Sequence, residues 1–285
     1  MIIKYLGTAA AEGIPAVFCN CATCREAREK KGRFIRTRSQ AILDNRLLVD
    51  FNADTYMHSL LHDINLSKIG NVVITHVHED HYYPEELLNR RVGFCNSFEY
   101  ETLTLHGSQD IQDYAREIFS VCVSDNPSVL QEQKRIAFDY MKPYETRVID
   151  GFNVTALPAT HGTPHPYIYL FEKDGKVLLY FNDSGYLTEE TMAFLKEKKV
   201  KFDLVSYDCT WGKNDAGAAV SSHMGVPNNV EARRRFIENG NYKDSTISVI
   251  THFSHNIPNV GYGDMLKIAS DNDFLLAYDG MVIEF

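Results

Sequence analysis

His76-Val77-His78-Glu79-Asp80-His81 follows directly on the apolar run Val72-Val73-Ile74-Thr75. Side chains alternate along an extended chain, so His76 and His78 share one face. Asp80 and His81 fall where the chain must bend, and they can reach the same point from another side. The chain has 11 histidines in 285 residues, so three within six positions beside an acid are not expected by chance. Imidazole and carboxylate together suit zinc, manganese or iron. The stretch reads as two overlapping halves of a metal site placed just past a strand.

Further single ligand-type residues follow strand-like runs. Asp50 closes Arg46-Leu47-Leu48-Val49, and His161 follows Phe152 to Leu157 in Pro158-Ala159-Thr160-His161-Gly162. Asp183 follows Lys176 to Leu179 in Tyr180-Phe181-Asn182-Asp183-Ser184-Gly185. His252 follows Thr246 to Ile250 in Thr251-His252-Phe253-Ser254-His255. Such a pattern builds a site along the C-terminal edge of a sheet. Taken singly, His161 could be a turn histidine, and Asn-Asp-Ser-Gly is turn chemistry by itself. His58 and His62 are spaced i, i+4 on an expected helix but lack a third ligand, so they read as surface or packing. His106 and His165 read the same way.

These motifs and their order resemble the metallo-β-lactamase superfamily across almost the whole chain. The resemblance implies an α/β fold, an αββα sandwich, with residues 1–285 as one hydrolase domain. It implies that His76, His78 and His161 hold one metal, that Asp80, His81 and His252 hold a second, and that Asp183 bridges them. Asp50 would accept the other N–H of a ligand imidazole and fix its tautomer. Two divalent metals, zinc or manganese, would generate the hydroxide nucleophile, because coordination lowers the pKa of water to about 7.

Cys19-Asn20-Cys21-Ala22-Thr23-Cys24 is the second dense cluster. In a reducing compartment this spacing favours metal over disulfide. Three thiolates need a fourth ligand for a closed zinc site. Cys95, Cys122 and Cys209 are isolated, whereas His255 lies just beyond His252. With Gly7-Thr8 and Gly13-Ile14-Pro15, the cluster resembles the phosphoribosyl cyclic phosphate phosphodiesterase branch of the superfamily. That branch implies a structural zinc on Cys19, Cys21, Cys24 and His255.

Composition sets limits. Hydrophobic residues make up 44% and charged residues 24%, an ordinary globular balance. A net charge of −9 makes nucleic acid an unfavourable partner. No apolar run approaches a membrane span, and Met1-Ile2-Ile3-Lys4-Tyr5-Leu6 reads as a strand and not as a signal peptide. The expected compartment is the cytoplasm.

The expected reaction is hydrolysis of a small phosphodiester, with a cyclic ribose phosphate as one form, through a hydroxide held between the metals. Asp80 and His223 are the candidate catalytic residues. His223, in Ser221-Ser222-His223-Met224-Gly225, would protonate the leaving oxygen or steady the phosphate. Arg36, Arg38 and Arg90-Arg91 offer guanidinium groups for phosphate oxygens. A tRNA 3′-end-processing endonuclease fits less well, since no Gly/Pro-rich basic arm is present. A lactone or thioester hydrolase, or a metal-binding protein without catalysis, are the other readings. The resemblance suggests a homodimer. The long stretch between His81 and His161 is expected to form a lid or specificity insert. A strand is expected at Phe202–Ser206, and Phe274–Ala277 and Met281–Glu284 are expected to form a last hairpin turning at Tyr278-Asp279-Gly280.

Overall fold

The computed structural model describes residues 1–217, 222–256 and 261–285. β1 (Ile2–Gly7), β2 (Gln40–Leu43) and β3 (Leu47–Val49) are followed by β4 (Asn71–Val73), β5 (Leu103–Gly107) and β6 (Ile136–Tyr140). β7 (Thr146–Ile149), β8 (Phe152–Pro158), β9 (Tyr167–Lys173) and β10 (Lys176–Phe181) come next. β11 (Leu204–Asp208), β12 (Ile247–Thr251), β13 (Leu275–Leu276) and β14 (Val282–Glu284) complete the set. They form two seven-stranded sheets, ordered β14-β1-β2-β3-β4-β5-β6 and β13-β12-β11-β10-β9-β8-β7.

The helices are α1 (Ala22–Lys30), α2 (Thr55–Leu61), α3 (Gln109–Cys122), α4 (Val129–Glu132), α5 (Glu189–Glu197), α6 (Val226–Glu238) and α7 (Tyr262–Asp271). Alternation along the strands sorts side chains into layers. Tyr5, Leu43 and Val49 of the first sheet pack against Phe152, Phe171 and Tyr180 of the second. The outer face of the first sheet, with Leu48, Val72 and Leu105, buries Ile111, Ala115 and Phe119 of α3. The outer face of the second buries Leu195 of α5, Phe236 of α6 and Ala269 of α7. The result is an αββα sandwich. Among the described residues no helix is long and apolar enough to cross a membrane.

Two hairpins are fixed by their turns. Asp44 and Asn45 have φ of 47° and 54°, and Asp174 and Gly175 have 51° and 75°. Positive φ at both central residues is the turn whose twist matches paired strands.

Three expectations change. The last two strands do not form a hairpin: β13 pairs with β12, and β14 pairs with β1 in the other sheet. Each short strand completes an open sheet edge, and Tyr278-Asp279-Gly280 carries the chain across the sandwich. Asp279 anchors that crossing, accepting from Thr8 Oγ1 at 2.6 Å and from Thr37 N at 2.6 Å. The stretch after His81 is no lid: it supplies β5, β6 and α3 to one half, and β7 and β8 to the other. The strand expected to stop at Ser206 runs on to Asp208, because parallel neighbours hold it on both sides.

Candidate metal centre

The expected residues lie at the C-terminal ends of strands from both sheets. Asp50 follows β3, His76 to His81 follow β4, His161 follows β8, Asp183 follows β10 and His252 follows β12. Asp50, Asp183 and His252 have φ of 67°, 54° and 62°. Asp and His tolerate this left-handed geometry better than most residues, and each kink turns a side chain inward.

The inward atoms converge. His76 Nε2 lies 3.0 Å from His78 Nδ1, which lies 3.1 Å from His161 Nε2. Asp183 Oδ2 lies 3.1 Å from His76 Nε2 and 3.0 Å from His81 Nε2. His81 Nε2 is 3.2 Å from His252 Nε2 and 3.5 Å from Asp80 Oδ2. Ligand-type atoms of His76, His78, His161 and Asp183 therefore form one group, and those of Asp80, His81, Asp183 and His252 a second, each within 4.8 Å. Zinc–nitrogen bonds of about 2.0–2.1 Å in a tetrahedron set donors roughly 3.3 Å apart, close to the spacings seen. Asp183 Oδ1 is buried without a hydrogen bond. His223 Nδ1 approaches that oxygen to 2.9 Å, a contact of charge and not of hydrogen-bond direction. A buried carboxylate oxygen left open in this way fits a divalent cation.

The outward nitrogens are held. Asp50 Oδ2 lies 2.7 Å from His81 Nδ1, while its Oδ1 accepts from Thr75 N and Oγ1, both at 2.8 Å. Thr210 Oγ1 meets His252 Nδ1 at 2.8 Å, Ser222 Oγ meets His161 Nδ1 at 3.0 Å, and Thr75 Oγ1 meets His76 Nδ1 at 3.0 Å. Such partners aim the opposite nitrogen of each ring at the centre. Burial pushes the His76 imidazole down in pKa, and pushes His161 down to about 4, so both present neutral lone pairs.

One residue escaped sequence reasoning. Asp208, wholly buried at the end of β11, joins Asp183, His223 and His252 in a further group. Its Oδ2 is 3.3 Å from His223 Nδ1 and 3.2 Å from His252 Nδ1, and Oδ1 accepts from Met224 N at 2.7 Å. Burial opposes charge on both partners, yet their attraction wins. Asp208 is held down to about 2, and His223 is pushed up to about 11 by Asp208 and Asp183. An acid closing a strand, as at Asp50, was the available signal. Ser221 lies outside the described residues.

The cysteine cluster also closes. Atoms of Cys19, Cys21, Cys24 and His255 lie within 4.8 Å of one another, and all three thiols are free. Cys21 Sγ is 3.6 Å from His255 Nδ1, and Cys24 Sγ accepts from Ala16 N at 3.3 Å. Burial opposes ionisation of Cys21, but the contact with His255 and further hydrogen bonds bring its thiol down to about 6. Three thiols and one imidazole are a donor set that fits tetrahedral zinc.

The arginines correct the sequence reading. Arg36 is buried, donating to Thr8 Oγ1 and Ala277 O at 2.7 Å each, and stacks over Phe253. Arg38 pairs with Asp54 at 2.8 Å and donates to Ala11 O. Arg90 donates to Arg135 O and Tyr100 O, and Arg91 covers the Phe94 ring. Arg36 is thereby committed to the fold, whereas Arg38 stays partly exposed beside its Asp54 partner. His58 is buried against Gln40 and Thr37, and His106 lies between Asn71 and Asp139. His62 meets Leu6 O, and His165 meets Asp110 at the surface.

The sequence profile of the β-lactamase superfamily domain matches residues 45–247. No curated protein matches the sequence significantly. Among solved structures, a diphosphatase of the PhnP family is similar with a TM-score of 0.72 at 18% identity, over 100% of this chain and 96% of that one. Zn(2+)-bound PqqB from Methylobacterium extorquens has a TM-score of 0.72 at 18% identity, over 100% of both chains. Human tRNase Z, short form, has a TM-score of 0.64 at 17% identity, over 100% of this chain and 99% of that one. At such identities the likeness is one of fold.

Proposed function

Since this chain belongs to the metallo-β-lactamase superfamily, we propose that it is a metal-dependent phosphodiesterase for a small, compact ester such as a cyclic ribose phosphate. Residues 1–285 act as one hydrolase unit in this reading. His76, His78 and His161 would hold one metal, Asp80, His81 and His252 the other, and Asp183 belongs to both donor groups. Bound there, divalent metals supply an acidified water and positive charge for the phosphoryl oxygens. Cys19, Cys21, Cys24 and His255 hold a structural zinc. Asp50, Thr75, Thr210 and Ser222 keep the donor rings aimed.

The observation that carries the reading is His223, held between Asp208 at 3.3 Å and Asp183 at 2.9 Å. Asp208 keeps a proton on that imidazole, and His223 delivers it to the departing alkoxide, which cannot leave without one at neutral pH. The diphosphatase and the tRNase Z among the similar folds support phosphoester chemistry. A tRNA-processing role has the second of these in its favour, and the net charge of −9 against it.

Turnover of a phosphodiester, a phosphomonoester, a lactone and a β-lactam, with zinc or manganese and with chelator, tests the assignment. Chelator-sensitive cleavage confined to the phosphodiester is expected. Lactone cleavage beside an inert phosphodiester would overturn it.

A further inference from the structure

Beside the metal centre a cleft of about 410 Å³ opens, lined by Glu12, Val17, Phe18, Arg38, Glu79 and His255 among others. Glu79, which the chain places between the candidate ligands His78 and Asp80, lines the cleft, as do Cys19 and His255 of the cysteine cluster, so the cleft adjoins both groups. Phe18 is fully exposed at its rim, with Val17 mostly exposed beside it. A single exposed apolar side chain is ordinary. This one projects from a loop that is tied down on both sides. Ala16 N donates to Cys24 Sγ, Ala16 O accepts from Cys19 N at 3.2 Å, and Arg28 Nη2 reaches the same carbonyl at 3.2 Å. The aromatic ring is therefore presented by a backbone already ordered, which lowers the entropy lost when something packs on it.

Charge narrows what that something is. Glu12 and Glu79 line the cleft, Glu12 with one oxygen accepting from Asn256 Nδ2 at 2.7 Å, and the cleft's arginine is already paired with Asp54. A second phosphate would meet two carboxylates with no free guanidinium to offset them. Hydroxyl groups, by contrast, donate readily to carboxylate oxygens. A flat, uncharged ring suits the Phe18 face, because stacking accepts any base.

We propose that this cleft binds the nucleoside part of the substrate, its ribose hydroxyls on Glu79 and its base stacked on Phe18, with the scissile phosphate at the metal centre. The assignment rests on the phosphodiesterase reading and names its substrate class as a nucleotide ester without further anionic groups. Phe18 is then a specificity residue carried by the cysteine-rich loop.

Uridine 5′-(4-nitrophenyl) phosphate and methyl 4-nitrophenyl phosphate share a leaving group and differ only in the nucleoside. The metal-loaded protein is expected to prefer the uridine ester in kcat/KM. Phe18→Ala should cut that preference about tenfold or more. Phe18→Trp should restore it, and Phe18→Leu should not. An unchanged preference in Phe18→Ala overturns the proposal. Equilibrium binding of adenosine 5′-monophosphate against methyl phosphate, to the metal-loaded protein and to Phe18→Ala, decides the matter without turnover. Adenosine monophosphate binding no tighter than methyl phosphate overturns the subsite. Phe18-dependent binding with neither ester cleaved upholds the subsite and sinks the phosphodiesterase reading instead.

Discussion

Asp208 lies 3.3 Å from His223, the imidazole proposed to deliver a proton, and has no proposed contact with the reacting atoms itself. Asp208→Asn keeps the shape and removes the charge that holds His223 protonated. Activity on an alkyl phosphodiester, expressed per bound metal because Asp208 also contacts His252 Nδ1 at 3.2 Å, is expected to fall about 10²- to 10⁴-fold. A 4-nitrophenyl ester, whose leaving group needs no proton, should lose far less. Equal losses on both esters would show that Asp208 holds the site together and does not serve proton transfer. His58 gives a prediction away from the centre. It is buried against Gln40 Oε1 at 2.6 Å and Thr37 Oγ1 at 2.7 Å, and burial brings its pKa from 6.5 down to about 4. The unfolded chain binds this proton more readily, so the stabilisation is whole above pH 6.5 and is lost as pH falls toward 4. The size is about 3 kcal/mol. Urea unfolding of the wild type and of His58→Gln at pH 7 and pH 4.5 should show a smaller pH effect in the variant. Parallel losses would remove His58 from the acid lability.

The cysteine loop ties α1 to the segment after β12, two elements far apart in the chain. Cys21→Ser should therefore lower zinc content and Tm together, by on the order of 10 °C for a tightly bound structural ion. Elemental analysis and calorimetry measure both, and full zinc with an unchanged Tm would exclude the structural role. This loop is legible in the sequence, as is His76 to His81, because dense ligands in a short stretch need no tertiary contact to be noticed. Asp208 is not legible in that way. It is one acid in Ser-Tyr-Asp-Cys, and its partners arrive only when β11 pairs in parallel with β12 and His223 and Met224, just before α6, reach its carboxylate. The final strands misled for a related reason. Phe274–Ala277 and Met281–Glu284 have hairpin composition around Tyr278-Asp279-Gly280, but composition does not say which strand edges elsewhere stand open. The arginines misled because exposure is invisible in sequence, and Arg36 is 5% exposed.

The two sheets bring their C-terminal edges to one rim, and the histidines and acids of that rim are the place where cations would gather on a chain of net charge −9. Elsewhere the surface charge repels a polyanion at long range, and a structured RNA must neutralise several phosphates at once to bind. The affinity of such an RNA would fall steeply with salt, because each neutralised phosphate releases counterions. A small ester makes its contact at one phosphate and feels little of this. A precursor tRNA is therefore expected to inhibit small-diester turnover weakly, and almost equally at 50 mM and 200 mM salt. Strong inhibition at the lower salt that vanishes at the higher would reveal an extended phosphate-binding surface. That outcome would shift the assignment from a small phosphodiester to RNA processing, with the same metal centre serving both.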